Sequence, residues 1–406
     1  MKFFKKTVRD VPLSGKTILL RADYNVPLES DGTIADDFRI QASVPTIRYL
    51  LAQKCKVIII SHLGRPKGRD ARYSLAPAAS RLAELLDQPV TFIDDCIGDK
   101  VRMGIKHAPA GSVIMLENLR FYAEEEANDE QFAARLAKDS GARYFVQDGF
   151  GVVHRAHAST EAITLKLPSV AGLLLEKEYT SITEAMERPA KPLIAVLGGA
   201  KVSDKLPLLE ALIEKADHIV VGGAMANTIL AAGGVTMGKS KIEPDQETEI
   251  KRIYVRVAEK VGPEKIASFL ELPGDLAIGK SVDAKAHRRS VGVKAVGADD
   301  YALDIGDETI ERYVQGLDGA ATVIWNGTMG MAELPEFSHG SARIALELAT
   351  HPEIASIIGG GDTADFVRHW DSKNGASFTH VSTGGGASLE LMAGEKLPGV
   401  EALMNA

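Results

Sequence analysis

The feature that most restricts this chain is a recurrence. Short runs rich in Val and Ile each end in Gly, Asp, His or Asn, and each is followed by a stretch of helical period. The first half carries TILLRAD (17–23), KVIIISH (56–62), VTFID (90–94), SVIMLEN (112–118) and RYFVQDGF (143–150). The second half carries PLIAVLGG (192–199), HIVVGG (218–223), SFLELPGD (268–275), TVIWNG (322–327), IASIIGGG (354–361) and HVSTGGG (380–386). A strand that is apolar at nearly every position has to be covered on both faces, and helices between successive strands supply the cover. Two such series predict an α/β protein built from two doubly wound parallel-sheet, Rossmann-like domains. Helices are expected over 74–87, 127–140, 203–216, 247–261 and 307–317.

A length of 406 residues exceeds what one core usually serves, which agrees with two domains. The expected organisation is a first domain over 1–171, a joining helix over 172–189, a second domain over 190–390 and a tail over 391–406. The segment LLLEKEYTSITEAMERPAKP (173–192) sets Leu175, Ile182 and Met186 in a charged frame and meets Pro189. A helical hinge fits it better than a flexible linker, which would be richer in Gly and Ser. The tail keeps Leu397, Val400, Leu403 and Met404 and is expected to dock. MKFFKKTVRD has positive charge but no apolar segment after it, and no run approaches the roughly 18 apolar residues of a membrane span. A soluble, cytoplasmic protein without a membrane partner is expected. Cys55 and Cys96 match no metal or redox spacing and are expected to be buried small hydrophobes.

The net charge of −8 is unevenly spread. Residues 1–170 hold 24 Lys and Arg against 21 Asp and Glu, whereas 171–406 hold 23 against 34. The first half is therefore the better host for a strongly anionic ligand, and the acidic second half argues against a nucleic-acid partner. Ligands of open parallel sheets bind beyond the carboxyl ends of the strands. In the first half those ends carry Arg21, Asp23 and Asn25; then His62, Arg65, Lys67 and Arg69; then Arg120; then His154, Arg155 and His157. Residues two apart on a strand share a face, so Arg21, Asp23 and Asn25 are expected to line up together. Arg39 lies where the first crossover helix should begin. Several converging guanidinium groups make a receptor for a small ligand with several negative charges. His154 and His157 lack a nearby carboxylate, which argues for imidazoles that meet an anion or cap a helix rather than a metal pair.

The second half ends its strands in glycine: GGAKVSDK (198–205), GGAMAN (222–227), WNGTMG (325–330), GGGDT (359–363) and STGGGAS (382–388). Glycine permits close backbone approach, and helix N-termini after such loops present N–H groups to phosphate. Lys201 and Lys205 follow the first loop and Asp362 lies in the fourth. An Asp beside phosphates makes sense with Mg²⁺ between them, so the set describes a Mg-nucleotide site. The G-x-x-x-x-G-K-[ST] signature is absent. Residues 359–364 match a loose G-x-G-x-x-A, which leaves a nicotinamide-dependent dehydrogenase as a rival. The acidic residue expected about 20 positions on is missing there. A non-catalytic anion-binding protein is the other rival.

RADYNVP, SHLGRP, ENLRF, the FGxxHRAHAS pattern at 150–159, GGAKVSDK, WNGTMG, GGGDT and STGGGAS occur in an order that resembles the phosphoglycerate kinase family from residue 19 to residue 388. The resemblance implies reversible transfer of the acyl phosphate of 1,3-bisphosphoglycerate to MgADP, giving 3-phosphoglycerate and MgATP, with Mg²⁺ as cofactor. It implies a phosphoglycerate-binding first domain, a nucleotide-binding second domain, a tail that returns to the first domain, and a monomer. Phosphoglycerate contacts would fall on Asp23, Asn25, Arg39, His62, Leu63, Gly64, Arg65, Arg120 and Arg155, with Arg21, His154 and His157 in the same basic patch. Nucleotide contacts would fall on Lys201, Lys205, Asn326, Glu333, Gly360, Gly361, Asp362 and Thr363, with Asp362 as the magnesium ligand. Arg39 and Lys201 would be catalytic. The chain departs from the family pattern at Thr328, where proline is usual, and at Val152-Val153, where Thr-Ala is usual.

Overall fold

The computed structural model describes residues 2–406. The chain forms two compact units, Met1–Thr180 with Lys396–Ala406, and Ser181–Glu395. Unit 1 is built on a six-stranded sheet of β1 (Thr17–Arg21), β2 (Lys56–Ile60), β3 (Val90–Ile93), β4 (Val113–Leu116), β5 (Tyr144–Gln147) and β6 (Ser169–Ala171). Its order is β3-β4-β2-β1-β5-β6, with every pair parallel. Alternation explains why the runs are apolar throughout. Ile18, Leu20, Val57 and Ile59 pack into one core layer, and Leu19, Ile58 and Ile60 into the layer on the opposite face.

Unit 2 repeats the plan with β7 (Leu193–Leu197), β8 (His218–Val221), β9 (Leu270–Glu271), β13 (Thr322–Asn326), β14 (Ala355–Gly359) and β15 (His380–Val381), ordered β15-β14-β13-β7-β8-β9 and parallel. It also carries an antiparallel sheet, β11-β10-β12, from β10 (Asp275–Gly279), β11 (Arg289–Gly292) and β12 (Tyr301–Ile305). In each six-stranded sheet the chain reverses its direction of travel once. The reversal lies between β1 and β5 in unit 1 and between β7 and β13 in unit 2. Crevices for ligands form at such reversal points, just beyond the carboxyl ends of the strands.

The expected helices form as Ala76–Leu86, Glu130–Ser140, Leu206–Lys215, Glu247–Val261 and Asp307–Gly316. Three elements differ from the sequence reading. SFLELPGD is not one strand: a helical turn ends at Phe269, β9 is two residues long, and Pro273-Gly274 breaks the chain before β10. The antiparallel sheet and β6 have no counterpart in the apolar runs, because Arg289–Gly292 is a half-exposed strand and Ser169–Ala171 is only three residues. Directly after β6 the chain enters the helix Leu173–Glu187. Its first turn is capped by Asp148, whose Oδ1 accepts from the Leu174 N–H at 2.9 Å.

The tail packs on unit 1. Leu397, Val400 and Leu403 are buried, Gly399 N–H donates to the Val153 carbonyl at 2.8 Å, and Met404 N–H donates to Ser169 at 3.0 Å. Lys5 Nζ, itself buried, donates to the carbonyls of Glu401 (2.6 Å) and Leu403 (3.0 Å). Removing 396–406 exposes the partners of three aliphatic side chains worth about 1.5–3 kcal/mol each and leaves Lys5 unpaired. Truncation after Glu395 should lower the urea midpoint of unit 1 by an amount equivalent to several kcal/mol while unit 2 unfolds as before; equal midpoints for the full and truncated chains would contradict this packing.

Candidate active site

Unit 1 gathers its polar groups beyond β1, β2 and β5. The strand β1 ends at Arg21, so Asp23 and Asn25 lie past it in a loop and do not continue its face. The loop is held from several sides. Tyr24 N–H donates to Ser61 Oγ at 2.8 Å, Asn25 N–H donates to Asp23 Oδ1 at 3.1 Å, and Asn25 Oδ1 accepts from Gly64 N–H at 2.8 Å. Arg39, on the first turn of helix Phe38–Ala52, donates from Nη1 to the Asn25 carbonyl at 2.6 Å and lies 3.7 Å from Asp23 Oδ2. It remains 28% exposed, held but reachable.

His62 and Leu63 are buried at the end of β2, with Gly64 half-buried and Arg65 exposed after them. Gly64 has φ +62°, and a Cβ there would stand 2.4 Å from the Tyr73 ring, so only glycine fits this turn. Arg120 is buried and donates from Nη1 to the Gly64 carbonyl at 2.7 Å. Asn118 fixes the turn that carries it, donating from Nδ2 to Leu63 (2.7 Å) and Tyr73 (2.9 Å) and accepting from Arg120 N–H at 3.0 Å. Arg155 Nε donates to His154 Nε2 at 3.2 Å, and His157 follows, buried, with its N–H on Thr160 Oγ1 at 2.9 Å. Arg69 turns elsewhere, donating to the Asp94 carbonyl.

Arg21 stands under this basin rather than in it. It is 1% exposed, and its Nε donates to Ser159 Oγ at 2.8 Å. Ser159 Oγ in turn donates to Glu125 Oε1 at 2.5 Å, and Ser159 N–H to Oε2 at 3.0 Å. Glu125, fully buried, was not singled out by the sequence reading, since ENLRFYAEEE offers several acids and no spacing selects one. Burial raises its carboxyl, and Arg21 and Ser159 oppose that rise. The imidazoles are pushed the other way. Burial, then the guanidinium groups of Arg21, Arg120 and Arg39, hold His62 well below the usual imidazole range. Burial and Arg155 bring His154 to about 4; burial, Arg120 and Arg21 bring His157 to about 4. At neutral pH the basin therefore consists of fixed guanidinium charges and neutral rings.

Unit 2 gathers its loops at the ends of β7, β13 and β14. Gly327 has φ +101°, and a Cβ there would fall 2.2 Å from the Gly198 carbonyl oxygen and 2.5 Å from Lys205 Nζ, so the loops after β7 and β13 touch backbone to backbone. Lys205 is held by Asn326, donating from Nζ to its carbonyl (2.8 Å) and Oδ1 (2.5 Å). The Asn326 Nδ2 donor is buried without a partner, 3.2 Å from where a Cβ of Gly360 would lie. Thr363 Oγ1 accepts from Gly327 N–H at 2.6 Å. Helices Gly361–Trp370 and Gly385–Met392 begin without a side-chain cap, which leaves N–H groups for an anion, whereas the first turn of helix Gly223–Ala232 is tied to the neighbouring loops by Gly223 N–H on the Met329 carbonyl (2.7 Å) and Met225 N–H on the Gly199 carbonyl (3.0 Å). Lys201 is exposed and makes no hydrogen bond or ion pair among the described residues. Glu243, which sequence reasoning missed, anchors the loop between the two lysines by accepting from Val202 N–H (2.7 Å) and Ser203 N–H (3.0 Å).

Beside these loops lies a cavity of about 880 Å³, lined among others by Gly199, Ala200, Thr328, Glu333 and Asp362. Its far wall, with Lys239, Lys241 and Tyr301, includes residues of the antiparallel sheet and the segment leading to it, which the apolar runs did not reveal. The volume suits a nucleoside, and the uncapped helices suit its phosphates. Thr328 Oγ1 donates to the Gly330 carbonyl at 2.9 Å and so closes its own turn.

A basin of guanidinium groups in one open α/β unit, and a phosphate-type glycine cradle with a cavity in the other, define a phosphotransferase acting on a small acid. The comparisons agree. The family model for phosphoglycerate kinase matches residues 8–395. Phosphoglycerate kinases of Pelotomaculum thermopropionicum and Chloroherpeton thalassium are each 46% identical, over 404 and 406 residues, covering 99% of this chain and 99% and 100% of theirs. Solved phosphoglycerate kinase structures from Coxiella burnetii and Pyrococcus horikoshii superpose with TM-scores of 0.83 and 0.81 at 34% identity, covering 98% of both chains. The chain belongs to the phosphoglycerate kinase family.

Burial lowers Lys205 to about 8, with Asp362 and Asp204 opposing. A phosphate binding at its ammonium requires the protonated form. MgADP affinity should be flat below about pH 7 and weaken as the pH rises through about 8, with proton uptake on binding, and Lys205→Arg should flatten the profile because a guanidinium keeps its charge. Calorimetry across pH 6.5–9.5 checks this; an identical alkaline decline in the Arg variant would contradict it.

Proposed function

We propose that this kinase transfers the acyl phosphate of 1,3-bisphosphoglycerate to MgADP reversibly, with unit 1 holding the phosphoglycerate and unit 2 the nucleotide. The observation that supports it best is the division of labour between charges. Arg39, Arg120, Arg155 and the neutral imidazoles stand beyond the strand ends of one sheet, while Lys205, Asn326 and the glycine loops stand beyond those of the other. A guanidinium cluster suits a small acid bearing carboxylate and phosphate together, whereas backbone N–H groups and a lysine suit a polyphosphate.

In the ATP-consuming direction a carboxylate oxygen of 3-phosphoglycerate attacks the γ-phosphorus, and the bridging oxygen leaves with ADP. That carboxylate is ionised at neutral pH, so no group has to remove a proton. The protein's tasks are alignment and neutralisation of charge around the moving phosphoryl group. Arg39 is suited to that task because its position is fixed by Asn25 while part of it stays exposed. Lys201 is suited because its exposed ammonium makes no hydrogen bond or ion pair among the described residues. Asp362, on the rim of the cavity and at the start of helix Gly361–Trp370, would hold Mg²⁺, which when bound neutralises the nucleotide phosphates. A single carboxylate is a sufficient protein donor there, since Mg²⁺ is commonly held by one or two carboxylates with phosphate oxygens and waters. Because acceptor and donor belong to separate units, the helix Leu173–Glu187 takes the role of hinge, bringing them together and keeping water from the acyl phosphate.

A coupled assay for ATP formation from 1,3-bisphosphoglycerate and MgADP tests this reading, and Arg39→Ala should lower turnover by roughly 10³-fold. An inactive wild-type chain would leave a non-catalytic anion-binding protein; near wild-type turnover in the variant would remove Arg39 from the chemistry.

A further inference from the structure

The contact between Arg21 and His62 admits one arrangement of protons. Arg21 Nη2 lies 3.2 Å from His62 Nδ1. A guanidinium has five N–H donors and no acceptor, and it does not lose a proton at physiological pH. The ring nitrogen facing it must therefore offer a lone pair. A neutral imidazole carries a single proton, which leaves Nε2 to hold it.

A competing selection is visible. Asp23 Oδ1 lies 4.0 Å from the same Nδ1, and a carboxylate there would favour a proton on that nitrogen. At 4.0 Å no hydrogen bond forms, whereas 3.2 Å is within reach of one. Asp23 is also engaged elsewhere, accepting from Asn25 N–H and facing Arg39 at 3.7 Å. A doubly protonated ring is disfavoured first by burial and then by the charged groups around it, which are Arg21, Arg120 and Arg39, with Asp23 as the opposing carboxylate and His157 neutral. Arg21 is held in place, because its Nε donates to Ser159 Oγ and its Nη1 to the Ala22 carbonyl, with the Glu125 carboxylate 4.0 Å from Nη2 as the opposing charge.

We propose that Arg21 is a positioning residue that fixes His62 as its Nε2–H tautomer, so that the ring meets the anion in the basin as a hydrogen-bond donor. The proposal rests on the reading of unit 1 as the phosphoglycerate site and assigns Arg21 a part that requires no contact with ligand. The buried Ser159–Glu125 pair acquires a purpose as well: it sets the guanidinium that sets the ring.

The test is long-range ¹H–¹⁵N correlation on the full chain, ¹⁵N-labelled at histidine, at neutral pH without ligand, with His62→Gln to assign the signal. A protonated Nε2 with an unprotonated Nδ1 is expected; an Nδ1–H or averaged pattern overturns the proposal. In Arg21→Met the His62 signal should move to a mixed or Nδ1–H pattern, and the KM for 3-phosphoglycerate should rise about tenfold while that for MgATP holds. A folded variant with an unchanged His62 pattern also overturns it. Should Arg21→Met fail to fold, the wild-type pattern decides alone. Adding 3-phosphoglycerate should shift the Nε2–H signal; the expected tautomer without that shift would support the lock and count against the basin as the phosphoglycerate site.

Discussion

Strands β1 and β7 sit inside six-stranded parallel sheets and are apolar along nearly their whole length, so each sheet can offer chemistry only at its ends. That constraint places every candidate group. Arg21, His62, Arg120 and His154 are brought together because β1, β2, β4 and β5 stop level with one another, as the pairings Arg21↔Ile60 and Arg21↔Gln147 show. Lys205, Asn326 and Gly360 are brought together for the same reason in unit 2, where Asn326 pairs with both Leu197 and Gly359. Two helical layers then bury the faces, and polar loops accumulate where the helices begin.

Collecting cations at one edge has an electrostatic cost, and unit 1 meets it in two ways. The deepest guanidinium, Arg21, is surrounded by acceptors and faces a buried carboxylate, whereas the outer ones lean on backbone carbonyls of the loops they organise. The three imidazoles stay uncharged, so the cluster gains hydrogen-bonding groups without further repulsion. The site in unit 2 relies on backbone N–H groups, and its half-buried ammonium, Lys205, is tuned to about 8 by burial. The contrast suits a compact acid in the first case and a longer polyphosphate in the second.

Much of this was legible in the sequence because buried parallel strands announce themselves as Val and Ile runs, and the residues after each run are the ones a ligand can reach. The parts not legible share a physical cause. β11 is half-exposed, so it lacks a continuous apolar run, and Lys239 and Lys241 of the cavity wall lie in an irregular segment that no run marks. Glu125, Ser159 and Glu243 act by hydrogen bonds across 34 to 41 residues of sequence, which no local pattern encodes. The sequence reading placed Arg21 on a shared face with Asp23 and Asn25. The strand ends at Arg21, two residues before Asp23, so that face never forms, and the Arg21 side chain is drawn beneath the basin by Ser159 instead.

The central claim is that each unit grips one phosphorylated partner. Hydrogen-exchange mass spectrometry with each ligand separately tests it most directly. The account predicts that 3-phosphoglycerate slows exchange around residues 23–39, 62–65, 118–122 and 154–160, and that MgADP slows it around 199–205, 326–333 and 360–364. Protection of the same unit by both ligands, or of unit 1 by the nucleotide with the glycine loops unchanged, would contradict it.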